Sequence, residues 1–298
     1  MHILLTGGTG FIGKALCEEL VRRGHSLTVV TRRASQIKRV MPDGVQLIPS
    51  VSSILPTVSI DAIVNLAGEP IADSRWTSAR IRQLRDSRIG ITEDIISYIA
   101  RAKNKPQVLV SGSAVGYYGD QGTAWVTEKS APHVEFTHSL CRDWENTACK
   151  AAEYGVRVAL IRTGLVIGPG GFLGRLLPLF KLGLGGQLGD GSQYMPWIHR
   201  DDEISILCEL LFNERAQGAY NATAPNPVTN HEFTQTLGQL LNRPTFLPAP
   251  AFMLRLLLGD MSRLLLTGQR AQPERLTHEL QFTFRYPTLT AALTATLN

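Results

Sequence analysis

The sequence predicts an α/β fold, a doubly wound parallel sheet with a smaller, mainly helical substrate-side lobe and a C-terminal appendage. Three observations predict it. The chain opens on a short apolar run, His2 to Thr6, that passes directly into the glycine-rich stretch Gly7 to Gly13. Apolar runs of strand length then alternate with helical patterns as far as Gly168. With 298 residues, 44% hydrophobic and 18% charged, the chain can remove roughly three quarters of its extended surface from water. That excludes intrinsic disorder, and ordinary glycine and proline usage excludes collagen-like and low-complexity chains.

His2 to Thr6 is apolar enough to be a strand buried on both faces. A helix follows over 14–23, with Ala15, Leu16, Leu20 and Val21 on or near one face, and Gly24 ends it. Ser26 to Thr31, rich in β-branched residues, is the second strand. Val45 to Pro49 supplies a third, Asp61 to Gly68 a fourth ending in a small-residue turn, Gln107 to Ser111 a fifth and Arg157 to Ile161 a sixth. Helical patterns fill 78–102 and 137–154. Residues 1–168 therefore read as a nucleotide-binding domain. Beyond Pro169 the rhythm breaks into an apolar helix at 172–182 and a glycine-rich loop to Gly191. A helix at 203–212, capped by Asp201 or Asp202, leads to a late strand at 218–222 and helices at 230–241 and 250–266. Segments 169–191 and 231–298 are assigned to the lobe and C-terminal domain, with 192–230 expected to return to the first domain.

The glycines point to a dinucleotide. Gly7 allows a tight turn off the strand, Gly10 lets backbone approach a pyrophosphate, and Gly13 lets helix and sheet pack closely. The phosphates would rest on the free N–H groups around Phe11, Ile12 and Gly13. An NAD site places an acid at the end of the second strand, to bind the ribose 2′-hydroxyl. Here that place holds Thr31-Arg32-Arg33, with no acid before Asp43. Guanidinium groups suit a 2′-phosphate, so NADP(H) is the expected cofactor and NAD the poorer fit, with Arg32 ahead of Arg33 as the contact. Ligands of such sheets collect beyond the carboxyl ends of the strands, which nominates Thr6, Asn65, Ala67, Gly68 and Arg162 as further cofactor contacts.

Lys and Arg exceed Asp and Glu by five, and Arg75 to Lys105 accounts for the excess, with eight basic residues against three acidic. Such a strip suits an anionic ligand, or docking of a polyanion or protein. No nucleic-acid-binding spacing accompanies it, so a small-molecule partner is expected. The four cysteines form no CxxC and the seven histidines no HxH or HExxH, so no metal is expected. No transmembrane span is expected either, since the most apolar stretch, 249–266, is interrupted by Arg255, Asp260 and Arg263. The expectation is a cytoplasmic protein with reduced thiols, monomeric or homodimeric.

The glycine-rich start, Asn65-Leu-Ala-Gly68, Ser111-Gly-Ser113-Ala and Trp197-Ile-His-Arg-Asp-Asp202 resemble the extended short-chain dehydrogenase/reductase superfamily, in its epimerase/dehydratase-like branch. Longer words resemble a bacterial epimerase family protein group with a C-terminal domain of unknown function. They are Asn65 to Ala72, Arg75-Trp-Thr, Ser111 to Asp120, Glu135-Phe-Thr-His138, Cys141-Arg-Asp-Trp-Glu145, Arg162-Thr-Gly164, Leu182 to Gly186 and Gly268-Gln-Arg-Ala271. The resemblance spans nearly the whole chain. It implies a Rossmann fold and a nicotinamide cofactor, usually NADP, and supplies no substrate.

The resemblance also sharpens a departure. The superfamily uses a Tyr four residues before a Lys, helped by a Ser. None of the seven tyrosines here has a lysine four residues later. Ser113 matches the superfamily's catalytic serine, and Tyr117 or Tyr118 is the candidate phenol, with Arg142 or another cation beside it. Glu128 and His199 are candidate substrate contacts, and His138 with Cys141 a candidate His–Cys pair. Two functions follow: hydride transfer to or from a small polar carbonyl or sugar-derived compound, or a catalytically silent NADP(H) sensor. The Arg75–Lys105 strip supplies a third, a docking module.

Overall fold

The computed structural model describes residues 1–32 and 41–297. Its central sheet is built from β1 (His2–Thr6), β2 (Ser26–Val30), β3 (Gln46–Ile48), β4 (Ala62–Asn65), β5 (Val108–Ala114), β6 (Arg157–Thr163) and β7 (Gly218–Ala222). These seven strands are parallel, in the order β7-β6-β5-β4-β1-β2-β3. The chain leaves β1 in one direction for β2 and in the other for β4. The switch point therefore lies at the end of β1, where the glycine loop begins.

Alternation along β1 explains its apolar composition. Ile3 and Leu5 enter one core with Leu16 and Leu20 of α1 (Phe11–Arg22), while Leu4 enters a second core on the opposite face. That second core contains Ile95 and Ile99, which come after α2 (Ser78–Arg85) on α3 (Ile91–Arg101), and Ala148 of α4 (Phe136–Cys149). A third core belongs to the lobe. There Leu173 and Phe180 of α5 (Gly171–Lys181) meet residues that follow α6 (Arg200–Phe212), namely Phe233 and Leu237 of α7 (Asn230–Leu241) and Leu293 near the C-terminus.

Several boundaries move for local reasons. Helix α1 starts at Phe11 rather than Lys14, because the glycine turn feeds straight into it. The long 78–102 helix is present but widened by a π-helical turn at Asp86–Gly90. Helix α6 begins at Arg200, and His199 caps it by accepting the Asp201 N–H at Nδ1 over 3.1 Å. Asp202, one of the two residues expected as cap, instead accepts N–H bonds from Arg285 and Tyr286 and fastens the C-terminal segment to α6. The apolar 250–266 stretch breaks at Gly259, which has φ +60°, into α8 (Ala251–Leu258), a 3-10 turn and α9 (Arg263–Leu266). Helix α7 starts with a capping box formed by Thr229 and Glu232. The late strand is β7, at the sheet edge beside β6.

Much of the basic strip is spent on the fold. Arg85 pairs with Asp143, Arg101 donates to the carbonyls of Val51, Ser52 and Ile54, and Lys105 donates to those of Ile99, Ala100 and Ala102. Arg88 is turned inward over the Trp144 ring. A free cationic surface for a polyanion is therefore much reduced. No helix among the described residues is long and apolar enough to cross a membrane.

Glu203 is fully buried where α6 meets the end of β6, and Thr163 donates to its Oε1 over 2.7 Å. Its Oε2 has no partner among the described residues. Burial pushes its carboxyl up to about 8. A carboxyl raised above its unfolded value is protonated in the fold, so stability declines as pH rises from the ordinary carboxylate range toward 8. Glu203→Gln should flatten that decline, and chemical denaturation of both proteins between pH 5 and 9 checks it.

Candidate functional site

At the end of β1 the chain makes the cradle that the glycines announce. Gly7 has φ +72°, and a Cβ there would fall 2.4 Å from the Leu66 carbonyl oxygen. A Cβ on Gly13 would fall 2.2 Å from the Gly7 oxygen, so α1 crosses the loop backbone-to-backbone. Over Gly10 only the Gly7 oxygen, at 3.3 Å, lies within contact range, which leaves the loop open outward. Helix α1 has no side-chain cap and no acid in its first turn. Its leading N–H groups thus lack a side-chain acceptor among the described residues, and this fits the diphosphate of a dinucleotide. Phe11 buttresses the cradle from beyond, packing on Gly168, Gly170 and Gly171 with the Arg200 guanidinium 5.5 Å over its ring. Ile12 is half-buried against the core.

The neighbouring turn is held to the cradle from inside. Thr6 donates to Asn65 Oδ1 over 2.6 Å, and Asn65 donates to Thr92 Oγ1 over 2.8 Å. The Ala67 N–H donates in turn to Thr6 Oγ1. Thr6 and Asn65, nominated as cofactor contacts, are fully buried, and their side chains shape the floor of the cleft. Gly68 lies against the Arg88 guanidinium, which also donates to the Glu69 carbonyl.

Beside the end of β2, Arg32 is 88% exposed and pairs with Glu69 at 3.2 Å. Arg80 approaches the same carboxylate at 3.6 Å. Glu69 was not foreseen: β4 delivers this acid to the mouth of a site whose own strand supplies none before Asp43. Arg33 lies outside the described residues.

Beyond β5 and β6 stands a buried polar chain. The parallel register sets Ser113, Arg162 and Asn221 side by side on adjacent strands. Helix α4 brings Glu145 down onto them. Ser113 donates to Glu145 Oε1 over 2.6 Å, and Arg162 grips both carboxylate oxygens, Nε to Oε1 over 2.9 Å and Nη2 to Oε2 over 2.8 Å. Arg162 Nη1 donates to the Tyr118 hydroxyl, which donates to Asn221 Oδ1 over 2.7 Å. Burial works against the Arg162 charge, but the bonds and charge of Glu145 outweigh it and hold the guanidinium protonated. Burial also pushes the Tyr118 phenol up to about 12 despite Arg162 beside it. Cys141, one turn before Glu145, is driven up to about 12 by burial and by the Glu145 charge.

These contacts revise several candidates. Arg162, expected to touch cofactor, is 5% exposed and committed to Glu145. Tyr118 is a fully buried brace rather than a free phenol. Glu128, expected to meet substrate, accepts the Asn221 N–H over 2.9 Å and more distantly that of Arg275, joining its loop to β7 and the C-terminal segment. His199 is 4% exposed, caps α6 and lies against the Tyr286 ring, and burial lowers its basicity. No His–Cys pair forms, since His138 Nδ1 bonds the Tyr117 carbonyl and Cys141 stays a buried thiol. Arg142 pairs with Asp143 on the exposed side of α4. Tyr117 remains half-buried, its ring 3.5 Å under the Arg162 guanidinium and edge-on to Tyr118 and His138.

Residues 3–223 match the NAD dependent epimerase/dehydratase family, and 249–296 match a domain of unknown function, DUF1731. This chain belongs to that epimerase/dehydratase family. It is 40% identical over 302 residues to the chloroplastic epimerase family protein SDR39U1 homolog of Arabidopsis thaliana, covering 99% of this chain and 86% of the relative. It is 35% identical over 287 residues to epimerase family protein YfhF of Bacillus subtilis, covering 95% and 94%. The crystal structure of human epimerase family protein SDR39U1 with NADPH superposes with a TM-score of 0.90, at 35% identity and 99% coverage of both chains. Family membership and the seven-stranded sheet confirm the fold read from the glycine motif.

Glu145 should be the costliest polar residue of the site to truncate. Glu145→Ala strands Arg162 as a buried, uncompensated charge and should cost about 3–5 kcal/mol. Urea denaturation reads this out, and a loss below about 1 kcal/mol would contradict the pairing.

Proposed function

We propose that this protein binds NADP(H) and passes hydride to or from a small polar carbonyl or sugar-derived compound, with Tyr117 as the proton-handling group. The observation that carries the chemical half is the placing of Tyr117. Tyr118 is locked, the Ser113 hydroxyl is given to Glu145, and no described tyrosine precedes a lysine by four. Tyr117 is the half-exposed phenol left beside them, and the Arg162 guanidinium on its ring puts positive charge next to where an oxyanion would develop. When bound, the nicotinamide supplies or accepts the hydride. The chain's own part is to orient the substrate oxygen and to give or take its proton at the Tyr117 hydroxyl. Ser113 acts on the site through Glu145, as a positioning residue.

The cofactor half rests on the open cradle at Gly10, on exposed Arg32 where an NAD site would hold an acid, and on the NADPH present in the human relative's structure. The Gly7–Gly13 loop and the first turn of α1 would hold the diphosphate, and Arg32 the 2′-phosphate. A silent NADP(H)-reading protein is the second reading. It is favoured by one observation, that α4 presents Cys141 and Glu145 toward Ser113 instead of a phenol and an ammonium group.

Titration with NADPH and NADH tests the cofactor assignment. Arg32→Ala should weaken NADPH by about 1.5–3 kcal/mol, on the order of ten- to a hundredfold, and leave NADH nearly unchanged. Glu69→Gln should act oppositely, tightening NADPH a few-fold by removing a carboxylate that competes for Arg32. Equal affinity for both cofactors in all three proteins would refute the assignment.

NADPH consumption across a panel of carbonyl and sugar substrates tests the chemistry. Tyr117→Phe should lower turnover by about 10²–10⁴-fold with cofactor affinity kept. Turnover unaffected by that change would remove Tyr117 from the mechanism. Bound NADPH that no substrate oxidises would favour the silent reading.

A further inference from the structure

The lobe carries an apolar surface that the cofactor site does not use. On α8, Phe252, Met253, Leu256 and Leu257 recur at helical spacing and all face solvent, with Phe252 69% and Leu256 74% exposed. The surface extends into two adjoining segments. The last turn of α5 exposes Leu179, and the turn after it exposes Leu182 and Leu184 and is closed by the Leu184 N–H donating to the Leu179 carbonyl. This turn runs beside 246–249 through the Gly186–Phe246 and Leu188–Ala249 bridges, and Phe246 and Leu247 are exposed there. An exposed apolar surface on this scale marks a docking site.

The charges around it select the partner. Lys181 and Arg255 are exposed on these same segments and Arg243 just before 246–249, and no described carboxylate pairs with any of them. The single carboxylate between residues 243 and 266 is Asp260, past the end of α8. A second copy docked on the same face would offer these cations no carboxylate from these segments except Asp260. Protein interface cores are enriched in Tyr and Trp, and the surface has neither. Leucine, phenylalanine and methionine fringed by unpaired Lys and Arg are what a helix lying in the headgroup layer of an anionic bilayer presents.

We propose that α8, with the 179–184 turn and the 246–247 segment, docks this protein on the surface of an anionic phospholipid bilayer. The attachment is peripheral, since no helix among the described residues is long and apolar enough to cross the membrane. The docking face ends at the loop after β4, whose Arg75 guanidinium lies against Gly259 at the end of α8.

Co-sedimentation of the full chain with vesicles tests this, comparing phosphatidylcholine alone with an equimolar mixture of phosphatidylglycerol and phosphatidylcholine. Binding to the anionic vesicles alone is expected. Leu256→Glu with Phe252→Ser should reduce it roughly tenfold or more. Lys181→Gln and Arg255→Gln should each reduce it about fivefold, as should raised salt. These side chains are exposed, so circular dichroism and NADPH titration should match the parent and separate lost docking from lost folding. No binding to anionic vesicles, equal binding to neutral ones, or binding indifferent to the Leu256 and Phe252 changes would overturn the proposal. Self-association abolished by Leu256→Glu, without vesicle binding, would overturn it in favour of a second copy.

Discussion

The site is organised around one buried ion pair, Glu145 with Arg162. Both side chains are almost wholly withdrawn from water, and each oxygen of the carboxylate accepts from the guanidinium fork. A pair this deep is stabilising only if its remaining hydrogen-bonding capacity is filled. Here Ser113 fills the carboxylate side and Tyr118 the guanidinium side, and Asn221 closes the chain by accepting from Tyr118 and donating to the Gln272 carbonyl. One continuous network thus ties β5, β6, β7, α4 and the C-terminal segment. It positions the 115–118 turn, from which Tyr117 projects.

The same network explains why chemistry read from residue types alone goes astray here. A serine at the end of β5, a tyrosine pair and an arginine at the rim are each familiar catalytic types. Three of the four, Ser113, Tyr118 and Arg162, are tied into one interior network through Glu145. Tyr118 is burdened by burial and locked at both its donor and acceptor sides, which is the reverse of what a proton-transfer group needs. Tyr117 escapes because the β5–turn geometry directs consecutive side chains differently, one into the sheet and one under the guanidinium.

At the cofactor end the controlling balance is between Arg32, Arg80 and Glu69. Glu69 is positioned by Arg88, which holds its carbonyl from below, and by Ser87, which accepts its N–H. The carboxylate keeps two guanidinium groups gathered at the cleft mouth at the cost of occupying them. Such an arrangement stores positive charge near the end of β2 without leaving it unpaired, and a ligand phosphate would have to compete for it. The loop after β4 is also anchored across the cleft, where Asp73 pairs with Arg175 of α5.

The sequence alone was sufficient for the sheet, the glycine cradle and the family, because these depend on local rules. Gly7 and Gly13 sit where any side chain would strike backbone, and strands buried on both faces have to be apolar throughout. The helix signals were equally local, apart from the earlier start of α1, the π-helical turn at Asp86–Gly90, the break at Gly259 and the cap supplied by His199. What the linear order did not disclose was which polar residues meet. Ser113 and Glu145 are 32 positions apart, and Tyr118 and Asn221 are 103 apart. Glu128 and His199 look like site residues in the sequence, and tertiary packing spends them on backbone amides. A side chain's chemistry is written at its own position, but its availability is settled by the burial and partners that distant strands bring, and only the folded sheet supplies those.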